Sequence, residues 1–140
     1  FIVITLVVTV FSLYYGFNNP QNRLLIKIDE MERLTGQQKW EEVERAGEEI
    51  INSGTKDEFI LSNCLWYLSI SEVNQNKTDE AIEHANALID VDPSNGHYLL
   101  GRIYIYAGEV EKGRQHLEEA VKLNPELRSE VEGILNLLRK

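Results

Sequence analysis

Apolar residues recur along most of this chain at intervals of three and four. Leu24, Leu25, Ile28, Met31 and Leu34 form one such stripe, which Gly36 interrupts, and Trp40, Val43, Ala46, Ile50 and Ile51 form a second. Leu127, Val131, Ile134, Leu135 and Leu138 form another near the C-terminus, with charged residues between them. This period places the apolar side chains on one face of a helix and the polar ones on the other. No segment alternates with the period of two that a half-buried strand requires.

Between these stripes the pattern repeats. Leu68-Ser69, Asn76, Ala81, Leu88 and Pro93 recur 32 residues later as Leu100-Gly101, Gly108, Gly113, Ala120 and Pro125. A fixed period of this size marks a stack of supersecondary units, each burying its apolar face against the next. The punctuation agrees. Gly108 suits a left-handed residue after a helix, and Asn124-Pro125 ends one helix and can open another. Thr55-x-x-Glu58 reads as a capping box and Thr78 as an N-cap. The expected fold is all-α. It is a helical-hairpin solenoid with a degenerate repeat at 22–54, clear repeats at 55–93 and 94–125, and a capping helix at 126–140. A hydrophobic N-terminal helix with a Gly/Pro joint is expected to precede it at 1–21.

That first segment has a different pattern. It reads FIVITLVVTVFSLYYGF, and no charged side chain precedes Arg23. Phe1, Ile2, Val3, Ile4, Leu6, Val7, Val8, Val10, Phe11, Leu13, Tyr14, Tyr15 and Phe17 leave no polar face. Such a helix needs lipid or other helices around it, and about 20 residues span a bilayer core. Gly16 and Pro20 are expected to weaken or kink it.

Two resemblances follow. His97-x2-Leu100-Gly101-x2-Tyr104, with Gly108, Gly113-x3-Leu117, Ala120 and Pro125, resembles the tetratricopeptide repeat (TPR), with His97 in place of the first aromatic and Gly113 where alanine is usual. The apolar run headed by Phe1, then a Gly/Pro joint and an amphipathic helix, resembles the first helix of a mature type IV pilin-like protein. Thr5 stands where bacterial major pilins carry glutamate. The pilin resemblance implies a subunit that polymerises with itself into an extracellular, cell-surface filament, its TPR heads outside. The alternative is a single-pass, membrane-anchored TPR scaffold that recruits partners to a membrane complex.

The TPR resemblance implies a non-enzymatic interaction module whose first helices line a concave face. Carried over by position, that face comprises Asn63, Trp66, Ile70 and Val73 from one repeat, and Asn95, Tyr98, Arg102, Ile105 and Tyr106 from the next. An aromatic and apolar surface of this kind suits a protein or peptide ligand. Trp66 and Tyr98 occupy places that chaperone-tail adaptors fill with lysine, so a carboxylate clamp is not expected.

Composition narrows the chemistry. The net charge of −9, with no Lys/Arg run, argues against nucleic acid as a partner. Cys64 is the single cysteine and lies in an apolar stretch, where it reads as a small buried hydrophobe. His84 and His116 occupy equivalent repeat positions without a set of metal ligands at suitable spacing. Glu41-Glu42, Glu48-Glu49 and Glu118-Glu119 diverge on their helices and read as solvated faces. Neither a phosphate loop nor a nucleophile motif is present, so no cofactor, metal or catalytic residue is expected.

Overall fold

A computed structural model describes residues 14–16 and 19–138, and from Pro20 onward the described residues form three helix–turn–helix pairs and a closing helix. The first pair is α1 (Pro20–Gly36) with α2 (Trp40–Asn52), and the second is α3 (Glu58–Asn74) with α4 (Thr78–Val91). The third is α5 (Pro93–Tyr106) with α6 (Val110–Leu123). A 3-10 turn, Pro125–Leu127, leads into α7 (Arg128–Leu137). There is no strand among the described residues.

The same local devices recur along the stack, with a proline cap at every unit beginning except that of α3. Asn19, Asp92 and Asn124 each stand before a proline, and each side chain accepts a backbone N–H two or three residues on. The cap satisfies an orphan donor, while proline at the first helical position sacrifices no hydrogen bond. Inside the pairs the turns are also alike. Gln38, Asn76 and Gly108 all take positive φ, at 57°, 61° and 86°. In each, the following N–H reaches back to close the helix, from Lys39 to Leu34 O, Lys77 to Glu72 O and Glu109 to Tyr104 O. This is the left-handed C-terminal motif that ends many helices.

Three expectations need correction here. Asn19 is extended, so α1 starts afresh at Pro20, and Pro20 opens a helix rather than kinking one. The cap of α3 is Asp57, whose Oδ1 accepts from Ile60 N, while Thr55 Oγ1 accepts from Asp57 N. Thr78 is the first residue of α4 and not its cap. The preceding Lys77 makes no side-chain capping bond, because the turn closes through backbone atoms.

Packing follows the stack. Ile28, Met31, Leu34, Val43, Ala46 and Ile50 of the first pair bury themselves with Ile60, Cys64 and Leu68 of α3. Leu65, Ala81, Ala85 and Leu88 of the second pair do the same with Leu99, Leu100, Ile103 and Tyr104 of α5. Tyr98, Leu117 and Ala120 join Val131 of α7. Each core thus needs the first helix of the next unit, as in other stacked repeats. In the third pair the helices meet at glycines. A Cβ on Gly113 would lie 2.6 Å from Gly101 O, and one on Gly101 would lie 2.6 Å from the Leu117 side chain.

The hydrophobic helix expected at 1–21 falls largely on residues 1–13 and 17–18, which lie outside the described residues. No helix among the described residues is long and apolar enough to cross a membrane.

A candidate interaction face on the first helices

The direction of curvature follows from which helices touch. α1 packs on α3 and α3 reaches α5, whereas no Cα of α2 comes within 8 Å of one in α4, nor any of α4 within 8 Å of one in α6. The first helix of each pair is therefore on the inner side of the bend, and the second helices splay outward.

On that inner side the repeat register builds a ladder. Positions 66, 98 and 130 follow one another at the repeat interval. Trp66 of α3 stacks on Tyr98 of α5, with ring centroids 6.2 Å apart and planes 9° from parallel. The Tyr98 hydroxyl donates to a Glu130 carboxylate oxygen on α7. The Arg102 guanidinium lies 5.6 Å from the Tyr98 ring centre, within cation–π reach. Burial, followed by the bond to Glu130, pushes the Tyr98 phenol above its ordinary pKa. Tyr98 is only 4% exposed, so it forms the floor of this face, while Trp66 is half-buried and Arg102 is exposed.

The other expected groove residues divide. Ile70 and Val73 are half-buried and pack against the core shared by α3, α4 and α5. Tyr106 is 62% exposed, with its hydroxyl 3.5 Å from Asn76 Oδ1. Asn63 Nδ2 donates to Phe59 O on its own helix. Asn95 is spent on the cap, its Nδ2 donating to Asp92 Oδ2 at 2.7 Å. Ile105 is half-buried, and its side chain closes over Gly113. Trp66, Tyr98 and Arg102 are therefore brought together, while Asn95 and Ile105 are committed within the repeat. Phe59, 63% exposed near the start of α3, is a large apolar side chain that the positional carry-over did not include. Glu130 was also missed. Its signal was the same 32-residue step continued into the closing helix.

Cys64 is fully buried, its thiol 3.5 Å from Gly47 O, and burial pushes its pKa up to about 12. Such a thiol is unreactive near neutral pH. No group of three or more His, Cys, Asp or Glu among the described residues could hold a metal ion. Away from the inner face, a cleft of about 690 Å³ opens between the N-terminal turn of α1 and the α2–α3 connection. Polar bridges cross it, Gln21 Nε2 to Asp57 Oδ2 at 2.7 Å and Lys27 Nζ to Glu49 at 2.5 Å.

The comparisons with known proteins agree with this architecture. No curated protein matches the chain. The C-terminal TPR-containing domain of a Plasmodium falciparum FK506-binding protein is similar in structure, with a TM-score of 0.61 and 21% sequence identity. The similarity covers 83% of this chain and 88% of that one. Residues 94–127, which comprise most of α5, α6 and the 3-10 turn, match the family model of the tetratricopeptide repeat, and the chain has a TPR-like fold.

Proposed function

We propose that this protein is a non-enzymatic interaction scaffold whose inner face holds an extended segment of a protein partner. The observation that carries this reading is the ladder of Trp66, Tyr98 and Arg102, in which a half-buried indole and an exposed guanidinium flank a fixed phenol. Trp, Tyr and Arg are the side chains most often responsible for binding energy at interfaces. Here the phenol is already immobilised by Glu130, so little side-chain entropy remains to be lost on binding. The exposed rings of Phe59 and Tyr106 extend the apolar surface along α3 and α5.

Selection of peptides from a random display library on the full chain tests this reading. The selected peptides should compete with one another, and Trp66→Ala together with Arg102→Ala should weaken their binding at least about tenfold, the loss of one modest hot spot. Peptides that bind both variants as well as the parent would place the binding surface elsewhere.

How the scaffold is carried is a second matter, and the uncharged stretch at 1–17 supports a reading for it. In that reading the apolar segments pack together as the core of a polymer, with the repeat domains outside as heterologous contacts. A membrane-anchored scaffold is the alternative. Electron microscopy of the purified chain separates them: filaments a few nanometres across support the polymer, and discrete detergent-dependent particles support the anchor.

A further inference from the structure

The last hairpin contains two histidines whose arrangement the interaction face does not use. His97 on α5 and His116 on α6 bring their Nδ1 atoms to 2.9 Å. The ring centroids are 5.1 Å apart, which leaves roughly one ring radius behind each nitrogen, so the nitrogens face one another instead of converging on a third point. That is the geometry of one shared hydrogen, with one Nδ1 donating and the other accepting. With no hydrogen between them two lone pairs oppose each other; with one on each Nδ1 two N–H groups do, and once both Nε2 atoms are protonated as well, two cations do.

The surroundings sharpen the last case. His116 stacks on Tyr104, with centroids 5.4 Å apart, and Lys112 Nζ sits 4.0 Å from the centre of that same Tyr104 ring. The charges acting on His116 are those of His97 and Lys112, both on the hairpin itself, and none comes from the neighbouring α4 or α7 among the described residues. On α6 the Lys122 ammonium, 2.8 Å away, and after it His97 hold the Glu119 carboxyl below its ordinary pKa. We propose that this pair is an acid-sensitive latch: one proton shared between the rings fastens α5 to α6, and a second proton drives the helices apart.

Burial, then His97 and then Lys112, lower the His116 pKa from its ordinary value near 6.5. Its neutral form is therefore the one that favours the fold. The contribution is complete above about pH 6.5 and is lost as pH falls through that value towards the lower folded pKa. Opening would start at the α5–α6 contact. Because α7 is tied to α5 through the Tyr98–Glu130 bond and packs on Leu117 and Ala120 of α6 through Val131, separating the two helices would loosen the closing helix as well. The latch does not depend on what the inner face binds.

Hydrogen exchange followed by mass spectrometry on the full chain, at pH 7.5 and 5.5 and corrected for the intrinsic pH dependence of exchange, tests it. Protection across α5, α6 and α7 should fall severalfold at the lower pH, while α3 and α4 keep theirs. In His97→Leu the acid loss should shrink to the part that burial and Lys112 alone impose on His116; Leu65 occupies the equivalent position of the middle repeat, so leucine suits the site. Equal protection at both pH values, an equal loss in α3 and α4, or a loss undiminished in the variant would overturn the proposal. Should the variant not fold, an NMR titration of the two imidazoles in the parent chain decides. Two coupled steps support the latch, and two independent titrations near the ordinary value refute it.

Discussion

The middle and last hairpins share one register but differ in how they hold their two helices together. In the middle pair, Ser69 and Ala81 stand where the last pair has Gly101 and Gly113. Ser69 Oγ returns to Leu65 O on its own helix, and both residues are fully buried. The last pair brings backbone against backbone. The histidines diverge as well. His84 and His116 are equivalent, yet the residue that faces them changes from Glu72 to Tyr104. Nδ1 of His84 lies 2.9 Å from both carboxylate oxygens of Glu72, which is only 5% exposed. His84 is therefore fastened by a charge and His116 by its neutrality. One step in the repeat, with Glu72 exchanged for Tyr104 and Leu65 for His97, reverses the protonation state that stabilises the fold.

The sharpest way to break this contrast is at the glycine crossing. Gly113→Ala should destabilise the chain by about 2 kcal/mol, the usual cost of overpacking against atoms that cannot yield, because the new methyl meets the Gly101 carbonyl. The reciprocal Ala81→Gly should cost only about 1 kcal/mol, the loss of helix propensity. Urea unfolding of both variants measures the difference, and equal costs would mean that the crossing distances do not differ.

A smaller effect separates the histidines. The Glu72 hydrogen bond, opposed by burial, raises the His84 pKa above its ordinary value. The stabilisation from that pair is fully present below about pH 6.5 and is lost as pH rises through the raised folded value. Glu72→Gln should lower stability chiefly on the acid side and flatten the decline above neutrality. Thermal unfolding scanned from pH 5.5 to 8.5 checks both parts. A variant that keeps the parent's pH profile would show that the pair does not set it.

The smallest effect is at the turns. Asn76 and Gly108 take the same left-handed conformation, and asparagine tolerates it better than most residues. Asn76→Gly should alter stability by no more than about 0.5 kcal/mol, whereas Gly108→Val should cost upwards of about 1 kcal/mol. Chemical denaturation midpoints at constant slope report both.

Much of this contrast could be read from the residues alone. The 32-residue step, the turn at Gly108, the Asn124-Pro125 boundary and the burial of Cys64 all follow from pattern and residue type. The partners of the histidines were harder to see. The repeat register shows that His84 and His116 correspond, but partner choice depends on side chains that meet across two helices. The caps misled for a local reason. Thr55 and Thr78 are acceptable caps by type, but Asp57 lies nearer the start of α3 and the inner turns close through the backbone. Pro20 was read as a flaw in a longer helix. Set beside Pro93 and Pro125, each following Asn or Asp, it belongs to a series of unit beginnings. On the inner face, Trp66 and Tyr98 were identifiable by position, whereas Asn95 was lost to the cap it helps build.

The splay of α2, α4 and α6 has a mechanical consequence. Neighbouring units meet closely along the inner line, whereas along the outer one the second helices stand apart and the first two units are linked by the Lys77–Glu44 ion pair at 2.7 Å. A stack joined in this way behaves like a strip hinged on one edge: it can tighten or relax its bend while the contacts on the hinged side persist. The cavity of about 370 Å³ that separates α2 from α4, lined by Glu48, Ile51, Glu80 and His84, is the slack such a movement would take up or release. Stiffness and compliance are thus assigned to opposite edges of the same array, and the width of the inner channel becomes adjustable without unfolding any single unit.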